Sequence, residues 1–341
     1  QILNSSGRAR MGQGASSGLG PLEALVKMDQ PVSIQDAEFW EKVIPATPLP
    51  STTVFTDAMQ TGIRDIKAKC PKNLATLVRR AVLKLNAGAR SKLQYKGAQT
   101  QVHNTILLLT KVIPNMFEDP AWDGFWLTPT PLGVITTLPG EKVMLPAGDA
   151  AGASPLPLAY TLLEAAVHLA FVPNMTVAPS TLAAVAAFTC IAEMPGEPFV
   201  WASGLGGETK QPAPTAAFST LRNDILKLLL VCCSHVMYQP AAAASPSSDR
   251  WLTYLTSGEH PKSSALYHSL VNTLITYDAV GWGVPFGSYF PDVEHQKTVE
   301  ACGDLITLLI DFEPEIFAPA VEPPAADAPA TPTAGGEAGG A

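Results

Sequence analysis

Met11-Gly12-Gln13-Gly14-Ala15-Ser16 matches Met-Gly-x-x-x-Ser/Thr, the pattern that offers a small exposed glycine amine for N-myristoylation when the methionine begins the chain. Ten residues precede Met11, so Gly12 is an acylation site only if translation starts there, and the match is otherwise accidental. The second chemical feature is charge. From Arg64 to Lys96 the bases Arg64, Lys67, Lys69, Lys72, Arg79, Arg80, Lys84, Arg90, Lys92 and Lys96 face Asp65 alone, inside a chain whose net charge is −8. Arg64, Lys67, Lys69, Lys72, Arg79, Arg80 and Lys84 are taken as a candidate face for an anionic membrane or an acidic partner. Near an anionic leaflet each base that reaches the surface contributes about 1 kcal/mol, and a single myristoyl chain needs such a second signal. The alternative is a solvated helix face. The third feature is aromatic: Phe117, Trp122, Phe125 and Trp126 lie among Glu118, Asp119 and Asp123, and Trp282 sits between two glycines. These rings are candidate partner-binding anchors. The preferred reading is simpler: the first four close the end of a helix pair, with Asp119 capping a short helix that has Pro120 at its first position.

No catalytic spacing accompanies them. The six histidines form no His-Glu-x-x-His or other ligand pattern, and His168 and His235 fall in apolar helices where a satisfied core histidine is the simpler reading. The glycines at 204–207 lack the Lys and Ser/Thr of a phosphate loop, and there is no Gly-x-Ser-x-Gly elbow. Five cysteines without a Cys-x-x-Cys pair give neither a zinc nor a redox motif, and Cys232 falls on an apolar helix face, as a small core residue would. We therefore expect no enzyme activity, no cofactor, no metal and no small-molecule substrate. The acidic balance argues against nucleic acid as a partner. The longest apolar stretches, 158–172 and 181–192, are too short or are interrupted by Glu164 and His168, so no spanning helix is expected.

The elements that must position these residues are helical. Leu74, Leu77, Val78, Ala81, Val82 and Leu85 recur at helical spacing, with Asn73 as the expected N-cap and Gly88 as the expected stop. Arg79, Arg80 and Lys84 fall opposite this apolar stripe and are expected to face solvent. Further helices are predicted over 99–117, 155–171, 219–238, 249–257, 262–277 and 293–312, with a short strand pair inside the Pro/Gly/Thr-rich loop at 128–155. The expected core includes Leu77, Ala81, Leu85, Ile106, Leu109, Ile225, Leu229, Cys232, Leu270, Leu274, Leu305 and Leu309. Charged residues make up only 15% of the chain while prolines number 31, so long uncharged loops must separate the helices. The organisation predicted is a flexible arm at 1–30, a helical domain at 31–317 and a disordered Pro/Ala/Gly-rich tail at 318–341. The fold class is all-α, a HEAT/armadillo-like helical-repeat solenoid with long Pro/Gly loops, inferred from helix order since no repeat period is visible.

Five blocks in order, DAEFWEKV (36–43), PKNLATLVRRAVLKL (71–85), LLLTKVIPNMFEDPAWDGFW (107–126), LKLLLVCCSHVMYQP (226–240) and YDAVGWGVPF (277–286), resemble the Hid1 family of peripheral Golgi proteins, itself distantly similar to dymeclin. The family begins with an acylable Met-Gly, which Met11 and Gly12 match. The resemblance implies the N-terminal part of a longer, non-enzymatic helical scaffold. Its place would be the cytoplasm and the cytosolic face of Golgi and trans-Golgi membranes, acting in secretory vesicle or granule formation and sorting with other trafficking proteins. The rival expectation is a soluble cytosolic regulatory or adaptor protein with no membrane role.

Overall fold

Helix α4 (Pro71–Arg90) is the axis around which the first half of the molecule is built. In this computed structural model the described residues are 22–49, 57–91, 93, 95–129, 135–138, 141–144, 156–172, 174–177, 201–202, 215–239, 249–257, 260, 262–277 and 293–313. Gly12, Trp282, Lys92 and the tail at 318–341 lie outside them. The remaining helices are α1 (Glu23–Val26), α2 (Ala37–Val43), α3 (Asp57–Lys69), α5 (Lys96–Phe117), α6 (Asp123–Leu127), α7 (Leu158–Leu169), α8 (Ala216–Cys233), α9 (His235–Tyr238), α10 (Arg250–Thr256), α11 (Ser263–Ile275) and α12 (Val293–Ile310). A two-stranded antiparallel hairpin, β1 (Ile135–Leu138) with β2 (Glu141–Met144), pairs Ile135 with Met144 and is the sheet found among the described residues. The chain is thus mostly helical, with the strand pair where the sequence placed it.

The apolar stripe of α4 packs on α7, α5 and α3; α5 and α7 pack in turn on α8, α8 on α12, and α12 on α11. Leu77, Ala81, Leu85, Ile106, Leu109, Ile225, Leu229, Cys232, Leu270 and Leu305 are buried as expected. Leu274 and Leu309 are only partly covered. They belong to α11 and α12, the last two helices of the stack, on turns that the described neighbours cover only in part.

Two helix boundaries differ from expectation for the same reason, tertiary contact. α4 begins one turn earlier, with Cys70 at the N-cap and Pro71 at the first position, where a missing N–H costs nothing. Asn73 is buried inside the helix. Its Nδ2 donates to the Gln30 carbonyl at 3.0 Å and its Oδ1 accepts from the Val32 N–H at 2.8 Å. Gly88 does not stop the helix but allows α5 to approach: a Cβ there would stand 2.6 Å from Val102 Cγ2. The arm also ends sooner than position 30. Leu22 and Leu25 are fully buried in the core, so ordered structure begins by Leu22, with α1 packed on α3 and α2.

The basic segment and the aromatic groove

The run from Arg64 to Lys84 divides into a covered half and an open half. Residues 30–49, which include α2, cross the face of α4 and α5 as a strap, held largely through its own backbone. Besides the Asn73 pair, Arg80 donates to the Ile34 carbonyl. Gln101 Nε2 donates to the Ile44 carbonyl at 2.7 Å, and Asn104 Nδ2 donates to the carbonyls of Pro45 and Thr47 at 2.8 Å each. Trp40, Val43 and Ile44 of the strap are buried. Under this cover the Lys84 side chain is 1% exposed and its Nζ donates to Glu41 Oε1 at 2.6 Å, while Gln101 Nε2 reaches Glu41 Oε2 at 2.5 Å. Burial lowers the Lys84 ammonium from its ordinary range, opposed by the hydrogen bond and charge of Glu41. Burial likewise lowers the Arg80 guanidinium, opposed by the charges of Glu41 and Asp36. The expectation that Arg79, Arg80 and Lys84 form a solvated face is therefore corrected. Lys84 and Arg80 hold the strap, and Arg79 lies 5.9 Å above the ring of Phe125.

Lys69 and Lys72 remain exposed where α3 gives way to α4. Lys67 and Lys69 occupy the last turn of α3, where positive charge offsets the partial negative charge of the helix end. Arg64, Lys67 and Ala68 are spaced to share one face of α3, and with Pro71 at the start of α4 they look across a groove of about 710 Å³ at Glu118, Asp119, Ala121, Trp122 and Phe125. Arg64 stands 3.6 Å from Glu118 and Lys67 stands 3.5 Å from Asp119, while Lys67 Nζ donates to the Asn115 carbonyl at 2.9 Å. The structure thus joins two sets of residues that the sequence keeps some fifty positions apart.

The four aromatics split two and two. Phe117 and Trp126 are buried, at the centre of an edge-to-face cluster with Trp251 and His235 whose ring centroids lie 4.6 to 5.9 Å from Phe117 or Trp126. Such contacts add about 0.5–1.5 kcal/mol each beyond area burial, and they make this pair core rather than anchor. Trp122 and Phe125 are half-buried, meet at 82° with centroids 5.5 Å apart, and line the groove. Asp119 does cap the short 3₁₀ turn Pro120–Trp122, its Oδ1 accepting from the Ala121 N–H at 3.1 Å.

The other candidate chemistry resolves into packing. Burial pushes the Cys232 and Cys233 thiols well above their ordinary range and Cys302 up to about 12, so none is a ready thiolate. Burial lowers His168 to about 4 with Lys262 adding to the effect, and burial lowers His260 to about 4 as well. His235 Nε2 lies 3.2 Å from Asp123 Oδ1. No cluster of three metal-ligating side chains and no helix long and apolar enough to cross a membrane occurs among the described residues.

The profile of the Hid1 family, described as high-temperature-induced dauer-formation protein, matches residues 22–317. The chain belongs to the Hid1 family. It is 32% identical over 289 residues to Protein HID1 of Homo sapiens, covering 85% of this chain and 35% of that protein. Against Protein HID1 of Mus musculus the identity is 31% with the same coverage. Against that of Dictyostelium discoideum it is 27% over 158 residues, 46% of this chain and 17% of the relative. The chain therefore spans about a third of the length of the mammalian relatives. No solved structure matches it. The Hid1 match starts at Leu22, which is the first described residue and is buried, so α1 and the strap lie within the matched region.

Proposed function

We propose that this chain is part of a non-enzymatic scaffold that sits peripherally on the cytosolic face of Golgi and trans-Golgi membranes and serves secretory vesicle or granule formation and protein sorting. Membership of the Hid1 family over nearly the whole described region carries this reading. The layered succession from α3 through α4, α5 and α8 to α12 supports a HEAT/armadillo-like way of extending, in which further helices add to a growing stack. Membrane attachment is assigned to two signals that are weak separately: acylation at Gly12 and the exposed cations Lys69 and Lys72, which replace the wider basic face expected from sequence. The test expresses the chain from Met11 and compares wild type, Gly12→Ala and a Lys69→Gln/Lys72→Gln double variant in cell fractionation and on vesicles with and without anionic lipid. The reading expects each change to shift protein into the soluble fraction, with the lysine effect seen only on anionic vesicles. Wild-type partitioning by both variants would sink the two-signal account.

A further inference from the structure

The groove between α3 and the turn at Glu118–Phe125 is walled by charges of both signs and by two aromatic rings. Neither ion pair across it is tight: 3.6 Å for Arg64–Glu118 and 3.5 Å for Lys67–Asp119, against roughly 2.8 Å for a charge-assisted hydrogen bond. Three of the four charged side chains are more than two-fifths exposed, so they can turn toward a guest without unfolding anything. A simple anion drawn to Arg64 and Lys67 would meet Glu118 and Asp119, and a simple cation would meet the reverse. A zwitterion satisfies both walls and leaves the local charge balance unchanged. Trp122 and Phe125 narrow the choice. Standing at right angles, they form a corner, and aromatic faces attract methylated ammonium groups, which shed water easily. One side of Phe125 is already taken by Arg79, so Trp122 is the main platform.

We infer that this groove binds the phosphocholine headgroup of a phosphatidylcholine surface, with the phosphate toward Arg64 and Lys67 and the trimethylammonium in the Trp122–Phe125 corner beside Asp119. No bond is made or broken. The inference draws on the peripheral-membrane reading for the source of its ligand, and it adds a headgroup contact that anionic lipid does not supply. Lys69 and Lys72 stand next to the groove in sequence and are exposed, but they do not line it.

The experiment is saturation-transfer NMR on the full chain with soluble phosphocholine, then phosphoethanolamine, both at millimolar concentration. Transfer to the N-methyl protons of phosphocholine is expected, with affinity a few-fold above phosphoethanolamine, whose more strongly hydrated ammonium gains less from a ring face. Trp122→Leu should remove that preference. Arg64→Gln, at an exposed position whose loss leaves the fold intact, should weaken phosphocholine several-fold by taking the phosphate partner away. Equal binding of the two headgroups, no transfer at all, or phosphocholine binding untouched by both substitutions overturns the inference. A second arm measures partitioning onto pure phosphatidylcholine vesicles, where Trp122→Leu and Arg64→Gln should lower binding. Partitioning that is lost in Gly12→Ala while soluble phosphocholine still binds supports the groove. Partitioning by wild type without phosphocholine contact overturns the groove and leaves the scaffold reading standing.

Discussion

Lys84 and Lys69 come from one run of positive charge on two helices that meet at Cys70, yet they end in opposite environments. Lys84 is sealed under the strap against Glu41, and Lys69 stands in solvent. Nothing in the run itself separates them. What decides is which stretch of chain lies across each, and for Lys84 that stretch is some forty residues upstream. A buried cation must find a carboxylate or give up its charge. Lys84 shows the first course, and His168 and His260 show the second, since burial holds both near 4.

That contrast can be broken or sharpened by experiment. The largest effect is expected on acidification. With folded values of about 4 and an ordinary value of 6.5, the two histidines are neutral in both states above pH 6.5. As pH falls from 6.5 to 4 the unfolded chain takes up two protons that the folded chain refuses, so these histidines lower stability across that window and lower it no further beneath it. Urea melts at several pH values should show this slope, and a His168→Gln/His260→Gln variant should flatten it; an unchanged slope would mean that these histidines are not the covered groups that matter.

Next comes Glu41→Ala. It strands Lys84 and frees Gln101 from one of its two partners, for a loss of about 2–4 kcal/mol in chemical denaturation. A loss below about 0.5 kcal/mol would show that Lys84 is reached by water after all. In the same covered half, Gly88→Ala drives a methyl group into Val102 and should cost about 1–3 kcal/mol, with Val102→Ala restoring part of it in the double variant. Lys84→Met should stay within about 1 kcal/mol of wild type, because it removes the buried charge and leaves Glu41, 42% exposed, to the solvent. On the open side, Lys69→Gln/Lys72→Gln should shift stability by no more than about 0.5 kcal/mol. Its measurable effect is on anionic vesicles. A stability loss equal to that of Glu41→Ala would erase the distinction between the halves.

Helical periodicity made most of the fold legible. The stripe from Leu74 to Leu85, the helices ending at Phe117 and starting near Ser219, and the hairpin in the 128–155 loop are all where composition and spacing put them. Asn73 and Gly88 were misread because each is a common helix-end residue used here for a contact between elements: a hydrogen-bonded grip on Gln30 and Val32, and a close approach to Val102. The helix over 219–238 breaks at Ser234, whose Oγ donates to the Leu230 carbonyl at 2.6 Å, a competition with the backbone that spacing of apolar residues cannot register. The candidate site was half legible. The α3 spacing of Arg64, Lys67 and Ala68 marks one face, and the acid and aromatic clusters around Trp122 were visible as types. That they oppose each other across a groove depends on packing of α3 against α5, which local pattern does not contain.

The strap has a consequence for how this part of the protein can drift. Asn73, Arg80, Gln101 and Asn104 take hold of it through the carbonyls of Gln30, Ile34, Ile44, Pro45 and Thr47, and through the N–H groups of Val32 and Leu49. Main-chain groups are the same whatever side chain accompanies them. The instructions for docking are therefore written in the helices that receive the strap and in its few inward residues, Trp40, Glu41, Val43 and Ile44. Outward positions such as Gln35 and Thr47 are left open to substitution, and a lineage can rewrite that outer surface for new neighbours while the grip beneath stays as it was.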